Sequence, residues 1–331
     1  MHSILFRNQP GILSFAAVAG QKESEGSYGK YFDRIEKDPL LGQKTWEQAE
    51  SRLQSETFRL AVNKGLLKPD EIDCILAGDL INQCTGSAFA VRGTDVPFLG
   101  LYGACSTMAE ALLVGGMIAD GAYCERVCAV TSSHFASAER QFRFPLSYGG
   151  QRTPTAQWTC TAAGAAVITS ATGSPYLAGG CIGRICDLGV TDATNMGAAM
   201  APAAADTIQR YLTDTHTQPC QYDAIITGDL GKVGSPLLLE LLAGQGIDIS
   251  SVHHDCGADM FDCERQDTHA GGSGCGCSAS VLCAYYLPRL AKGELRRVLF
   301  CATGALLSAM SSQQGESIPG ICHLAEIRSK R

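Results

Sequence analysis

Within 331 residues the chain spells one pattern twice. Asp73-Cys-Ile-Leu-Ala-Gly-Asp-Leu80 returns 150 residues later as Asp223-Ala-Ile-Ile-Thr-Gly-Asp-Leu230. A second pair is longer in pattern. Gly103-Ala-Cys-Ser106 opens a helix-like run ending Ala119-Asp-Gly121, then a strand-like run from Arg126. Cys275-Gly-Cys-Ser278 opens a run ending Ala291-Lys-Gly293, then a strand-like run from Arg297. This match has an offset of 172 residues, pairing Cys105 with Cys277 and Gly103 with Cys275. Self-similarity in one order means a repeated structural unit, and the change of offset means an insertion in one half. The simplest account is two α/β halves, 1–172 and 173–331, joined near residues 170–178.

β-branched and apolar runs predict strands at Ile72–Ala77, Pro97–Leu101, Arg126–Thr131, Ala165–Thr169, Ala224–Thr227 and Arg297–Ala302. Helical spacing predicts helices at Trp46–Lys64, Ser106–Asp120, Ala203–Thr213, Ser235–Gln245 and Ser278–Lys292. Strands alternating with helices call for mostly parallel pairing.

Composition narrows the function classes. A hydrophobic content of 45% supports a sizeable core. A net charge of −7 argues against a phosphate-backbone surface, so no nucleic-acid partner is expected. No run approaches ~18 consecutive apolar residues, so no transmembrane segment is expected. The start, MHSILFRNQPG, lacks a long apolar stretch, so a secretory signal is not expected. Sixteen scattered cysteines then fit reduced thiols serving as small core residues. His253, His254, Cys256, Cys263, Cys275 and Cys277 crowd one region, but without paired C-x₂-C spacing, so no metal is expected.

Cys105 is the residue to explain. It falls at a strand-to-helix junction, where free N–H groups and the helix dipole favour an anion. Such a place would lower a thiol pKa, or hold a carboxylate or thioester oxyanion. The plain alternative is a buried cysteine among small neighbours. Cys277 holds the equivalent junction within His269-Ala-Gly-Gly-Ser-Gly-Cys-Gly-Cys-Ser278, so both junctions could face one cleft.

The duplicated layout with a junction cysteine in each half resembles the thiolase superfamily of thiolases, ketoacyl synthases and chalcone synthases. Gly103-Ala-Cys-Ser-Thr107 looks like its nucleophile turn, Ala162-Ala-Gly-Ala-Ala-Val167 like its Gly-Ala strand, and Gly271–Ser280 like the helix entry of its second half. Over nearly its whole length the chain is also similar to the stage V sporulation protein AD family of spore-forming bacteria. The specific segments are 131–145 and 148–158, which ordinary thiolases lack, with 77–83, 98–107, 195–203 and 267–279. The resemblance implies a thiolase-like fold: duplicated α/β halves with central mixed sheets sandwiched by helices. It also implies a homodimer that binds dipicolinic acid during its uptake into the developing spore. Its partners would be the other membrane proteins of the same sporulation operon. Its place would be the cytoplasmic side, as a soluble protein peripheral at the spore inner membrane.

Two chemistries remain open on that resemblance. Condensing enzymes pair the cysteine with a histidine and an asparagine, or with a histidine and a second cysteine. Here the matching strand end reads Val252-His-His-Asp-Cys-Gly257, so His254 or Asp255 could hold the histidine's place. A thiolase-like use of Cys105, His269 and Cys277 is the other arrangement, with acyl-CoA as the thioester donor. Gly274-Cys275-Gly276 replaces the asparagine entry, which weakens acyl transfer through a Cys105 thioester. The binding reading needs no cofactor. It draws on Cys105, His134, His254 and Asp255, and on Arg140 and Arg143 in the run Ala138-Glu-Arg-Gln-Phe-Arg-Phe-Pro145, where arginines suit carboxylates and phenylalanines an aromatic ring. A scaffold that only assembles a membrane complex is a third reading.

Overall fold

The computed structural model describes residues 3–142 and 151–330. Arg143 lies outside the described residues. The first half contributes β1 (Ser3–Leu5), β2 (Pro10–Gly20), β3 (Arg34–Glu36), β4 (Cys74–Gly78), β5 (Phe98–Gly100), β6 (Arg126–Ser133), β7 (Trp158–Thr159) and β8 (Ala162–Thr172). The second contributes β9 (Tyr176–Cys181), β10 (Ala224–Thr227), β11 (His253–Asp255), β12 (Gly272–Ser273), β13 (Arg297–Ala305) and β14 (Gly320–Arg328).

Twelve of these strands form one mixed sheet, with the path β11-β10-β13-β14-β9-β2-β8-β6-β4-β5. From each edge inward the same half-sheet is met twice. β5, β4 and β6 are parallel, and β8 and β2 then run antiparallel. β11, β10 and β13 are parallel, and β14 and β9 then run antiparallel. The sheets expected of two duplicated halves are thus joined, and β2 meets β9 at a single register pair, Gly11 with Tyr176.

Helices cover both faces, as parallel strands require. Trp46–Lys64 packs outside the first half-sheet and Met196–Thr215 outside the second. Thr107–Asp120 and Cys275–Val281 lie between the halves in the central core. Period-two alternation sorts the strand residues. Leu76, Val127 and Ala129 face the central core, while Ile75, Ala77, Cys128 and Val130 face outward. Ile226, Val298 and Phe300 face the same central core, while Ile225, Leu299 and Cys301 face the other outer layer.

The central layer is tight enough to dictate composition. A Cβ on Gly164 would stand 2.3 Å from the Ala279 carbonyl oxygen, and one on Gly276 would stand 2.0 Å from that of Ala162. All sixteen cysteines are free thiols and thirteen are buried, which fits their role as small packing residues.

The expected helix 203–213 begins earlier, at Met196, and passes through Pro202. Asn195 caps that start by accepting from the Ala198 amide at 3.3 Å, so the proline removes one donor without ending the helix. Likewise the helix from Gly231 passes through Pro236.

Candidate functional site

The chain turns sharply between β5 and the helix Thr107–Asp120. Ala104 takes φ 50°, which an alanine adopts only under constraint. The turn is locked from inside: Thr107 Oγ1 donates to the Ala104 carbonyl at 2.7 Å and accepts from the Gly103 amide at 3.0 Å. Gly304, near the end of β13, presses on it, and a Cβ there would meet the Gly103 carbonyl at 2.4 Å. Cys105 is therefore presented at the seam between the halves, 6% exposed.

What faces it from the second half is an aspartate. Asp229 follows β10 and is completely buried. Its carboxylate accepts from Ser273 Oγ at 2.8 Å, the Gly274 amide at 2.9 Å and Thr303 Oγ1 at 2.9 Å. Ser273 Oγ also stands 3.8 Å from Cys105 Sγ. Since the serine proton is given to Asp229, the serine oxygen is left to accept from the thiol. The relay Cys105–Ser273–Asp229 thus holds a neutral S–H. Burial lifts the Asp229 carboxyl to about 6. Burial first, and Asp229 second, hold the Cys105 thiol well above its ordinary range. The helix-terminus position predicts the opposite shift. Desolvation and a neighbouring carboxylate outweigh the helix dipole here.

The apolar surroundings of Cys105 are Leu80, Ala138, Cys275 and Phe142. Tyr102, 45% exposed, stands at the rim, its phenol pushed up to about 12 by burial and the nearby Cys105 thiol. The site therefore presents one phenol donor above an apolar floor, beside a neutral thiol whose proton is engaged by Ser273. Gln157 braces it, donating to the carbonyls of Asp229 at 2.7 Å and Gly272 at 2.8 Å.

The residues expected at the site fall in different places. Cys277 is buried in the central core beside Cys160, and Cys275 is the second-half cysteine that packs with Cys105. Cys275 Sγ donates to the Ser132 carbonyl at 2.9 Å. The Asp255 carboxylate is filled by its own chain, accepting from Thr227 Oγ1 and from the amides of Leu230, Gly231 and Ala258 at 2.6–2.9 Å. His254 is exposed and lines another pocket. His269 pairs with the exposed Asp267 at 3.4 Å.

His134 is 1% exposed, its Nε2 donating to the Pro39 carbonyl at 2.8 Å and its Nδ1 accepting from the Ala136 amide at 3.2 Å. Burial lowers its pKa, so it is a neutral structural imidazole. Arg140 pairs with Glu47 on the outer helix, and Ser137 donates to buried Glu50, which fixes the helix Phe135–Phe142 against Trp46–Lys64. Among the described residues no group of three potential ligands could hold a metal ion.

Asp229 is the residue that sequence reasoning passed over. Its signal was the first repeat, which aligns it with Asp79.

A mirrored α/β sheet, a helix pair between its halves and a cysteine on a strained turn at their seam define the fold of the thiolase-like condensing enzymes. The solved structures agree over nearly the full chain. One is 3-oxoacyl-[acyl-carrier-protein] synthase III from Aquifex aeolicus VF5, with a TM-score of 0.57 and 12% identity over 96% of this chain and 99% of that one. Another is cerulenin-bound OleA from Xanthomonas campestris, with a TM-score of 0.61 and 14% identity over 98% of this chain and 97% of that one. At that identity the likeness is one of fold.

The narrower assignment comes from sequence. The family model for stage V sporulation protein AD matches residues 1–328. Stage V sporulation protein AD of Bacillus subtilis (strain 168) is 43% identical over 319 residues, 96% of this chain and 94% of that protein. The chain belongs to the stage V sporulation protein AD family.

Proposed function

We propose that this sporulation-family protein binds dipicolinic acid at the Cys105 cleft and serves its uptake into the developing spore. One observation supports binding over condensation. The cysteine is held as a neutral thiol by a serine and a buried aspartate, with no histidine among those contacts to take its proton. A thiol held so far above neutral pH has almost no thiolate with which to attack a thioester. The same site suits recognition, because the Tyr102 O–H at the rim donates to a carboxylate oxygen while Leu80 and Phe142 offer apolar surface to a ring.

Calorimetric titration tests the reading. Saturable binding of dipicolinate is expected, with pyridine, a ring that carries no carboxylate, as control, and Tyr102→Phe should weaken it about tenfold, the worth of one hydrogen bond to a charged group. Absence of binding at millimolar dipicolinate, together with acylation of Cys105 by acyl-CoA in intact mass, would transfer the site to acyl-transfer chemistry.

Two further proposals go with the first. No described helix is long and apolar enough to cross a membrane, so work at the spore inner membrane would rely on the membrane proteins of the operon or on peripheral contact. The homodimer would form through β5, an edge strand of the sheet, beside exposed Phe89 and Leu99. Leu99→Lys should then give a monomer in light scattering, and an unchanged dimer would move the interface elsewhere.

A further inference from the structure

At the opposite end of β10 from Asp229, Ala224 borders a pocket of about 360 Å³ that plays no part in the Cys105 site. Its walls are tyrosines. Tyr285 meets the rings of Tyr28, Tyr31 and Tyr286 edge to face, with centroids 5.0–5.2 Å apart. A five-residue π-turn, Leu282–Tyr286, sets its last two residues, both tyrosines, side by side, and such turns are common where helices are shaped for function.

Two cations stand over this aromatic wall. The Arg289 guanidinium lies 3.7 Å from the Tyr285 ring centroid, and Lys30 Nζ lies 5.1 Å from that of Tyr31. Stacking of this kind fixes the plane of a guanidinium and turns its N–H edge outward.

The charges at the pocket are unevenly matched. Arg289 donates to the Tyr285 carbonyl at 3.4 Å and has only a loose ion pair with the exposed Glu294, at 3.9 Å. No carboxylate lies within 4.0 Å of Lys30 Nζ among the described residues. The pocket's own acids are committed. Asp223 accepts from the Arg296 and Arg297 amides at 2.6 and 2.8 Å. Asp259 is largely buried beside the Tyr28 phenol, and that burial raises its pKa. His254 adds a third basic side chain at the rim. Both cations stand at the Tyr31 ring, Lys30 Nζ at 5.1 Å and the Arg289 guanidinium at 5.4 Å from its centroid, and Arg289 draws the Tyr31 phenol below its usual range.

We propose that this pocket is a second binding site, for a small aromatic ligand carrying an oxyanion, a phosphate monoester or a carboxylate. Lys30 and the edge of Arg289 hold the oxyanion, and Tyr31 and Tyr285 flank the ring. Two stacked cations make a bidentate and a point contact to one anionic group, which a neutral or cationic ring could not use.

The test is calorimetric titration of the full chain with phenyl phosphate, benzoate and phenyltrimethylammonium. Phenyl phosphate or benzoate should saturate below millimolar, and which of them does so identifies the oxyanion. The cation should fail. Lys30→Gln and Arg289→Gln should each weaken binding about tenfold, as loss of one charge-assisted contact does, while Cys105→Ser should leave it unchanged. Should Arg289→Gln lose its fold, Lys30→Gln at its accessible position carries the test alone. Failure of both anions, binding of the cation instead, or equal affinity in Lys30→Gln and wild type would overturn the proposal. Loss of binding in Cys105→Ser would assign the signal to the Cys105 cleft, and so overturn it as well.

Discussion

Asp79 and Asp229 are the same residue of the repeat and do different work. Each follows the second strand of its half-sheet and each is fully buried. Asp79 serves its own half: it accepts from the Ile81 amide at 2.8 Å and from the amide and hydroxyl of Ser87, both at 2.7 Å, and so fixes the helix Thr85–Val91. Asp229 accepts from a turn and a strand of its own half but looks across the seam at Cys105. The repeat thus places a carboxylate at the end of the second strand of each half-sheet, and the one whose partners lie on the seam is part of the site.

The junctions differ in the same way. Ala104 and Gly276 are equivalent in the second repeat. Ala104 bears a strained φ of 50°, while Gly276 has room for no side chain at all.

Exchanging these features should break the comparison in a graded way. Gly276→Ala is expected to have the largest effect, because the new methyl would lie against backbone that cannot yield; it should cost more than about 3 kcal/mol in urea denaturation or abolish soluble protein. Asp79→Ala leaves buried Ser87 and Ile81 donors without an acceptor and should cost about 2–4 kcal/mol.

For Asp229 the readout is pH. Its carboxyl rises from 3.8 to about 6 on folding, so its contribution is present in full below pH 3.8 and is lost as pH rises through 6. Asp229→Asn should remove that slope, and stability relative to wild type should climb by about 2–3 kcal/mol between those pH values. The same variant removes the carboxylate beside the thiol. Alkylation of Cys105 by iodoacetamide at pH 8 should become about tenfold faster relative to exposed Cys220, measured by peptide mass. An unchanged rate would mean that burial alone sets the thiol. The smallest effect belongs to Ala104→Gly, which relaxes the turn and should stabilise by about 0.5–1 kcal/mol in the same denaturation assay.

The longer parallel strands of the large sheet were legible in the sequence. β10 matches its expected span, β4, β5 and β6 shift by only a residue or two at their ends, and β13 runs three residues further, whereas the two- and three-residue parallel strands β3, β7, β11 and β12 were not expected. β8 extends beyond its expected span at both ends, starting three residues earlier. The antiparallel strands β2, β9 and β14 were not legible. The first two carry Ala16-Ala-Val-Ala19 and Leu177-Ala-Gly-Gly-Cys181, sequences of low strand propensity. Their small side chains are set by the helices pressed between the halves, a tertiary demand that local propensity does not express. The site was legible to the extent of Cys105 and its glycine-rich counterpart. Its partner carries no nucleophile or ligand motif, since a lone Asp after a strand becomes meaningful only once the two halves are brought face to face. For the same reason Cys277, the cysteine matched to Cys105 by offset, turned inward: a helix shows alternate residues to different neighbours, and Cys275 held the facing position.

The shared central core has a consequence for how the molecule is made. Residues of both halves interlock there, and Ala279 closes over Gly164. The first half leaves the ribosome with that face uncovered. At bacterial elongation rates its complement arrives roughly 10–30 s later. For that interval the newborn chain holds an apolar, alanine-rich sheet open to water, and the second half acts, in order of synthesis, as its lid.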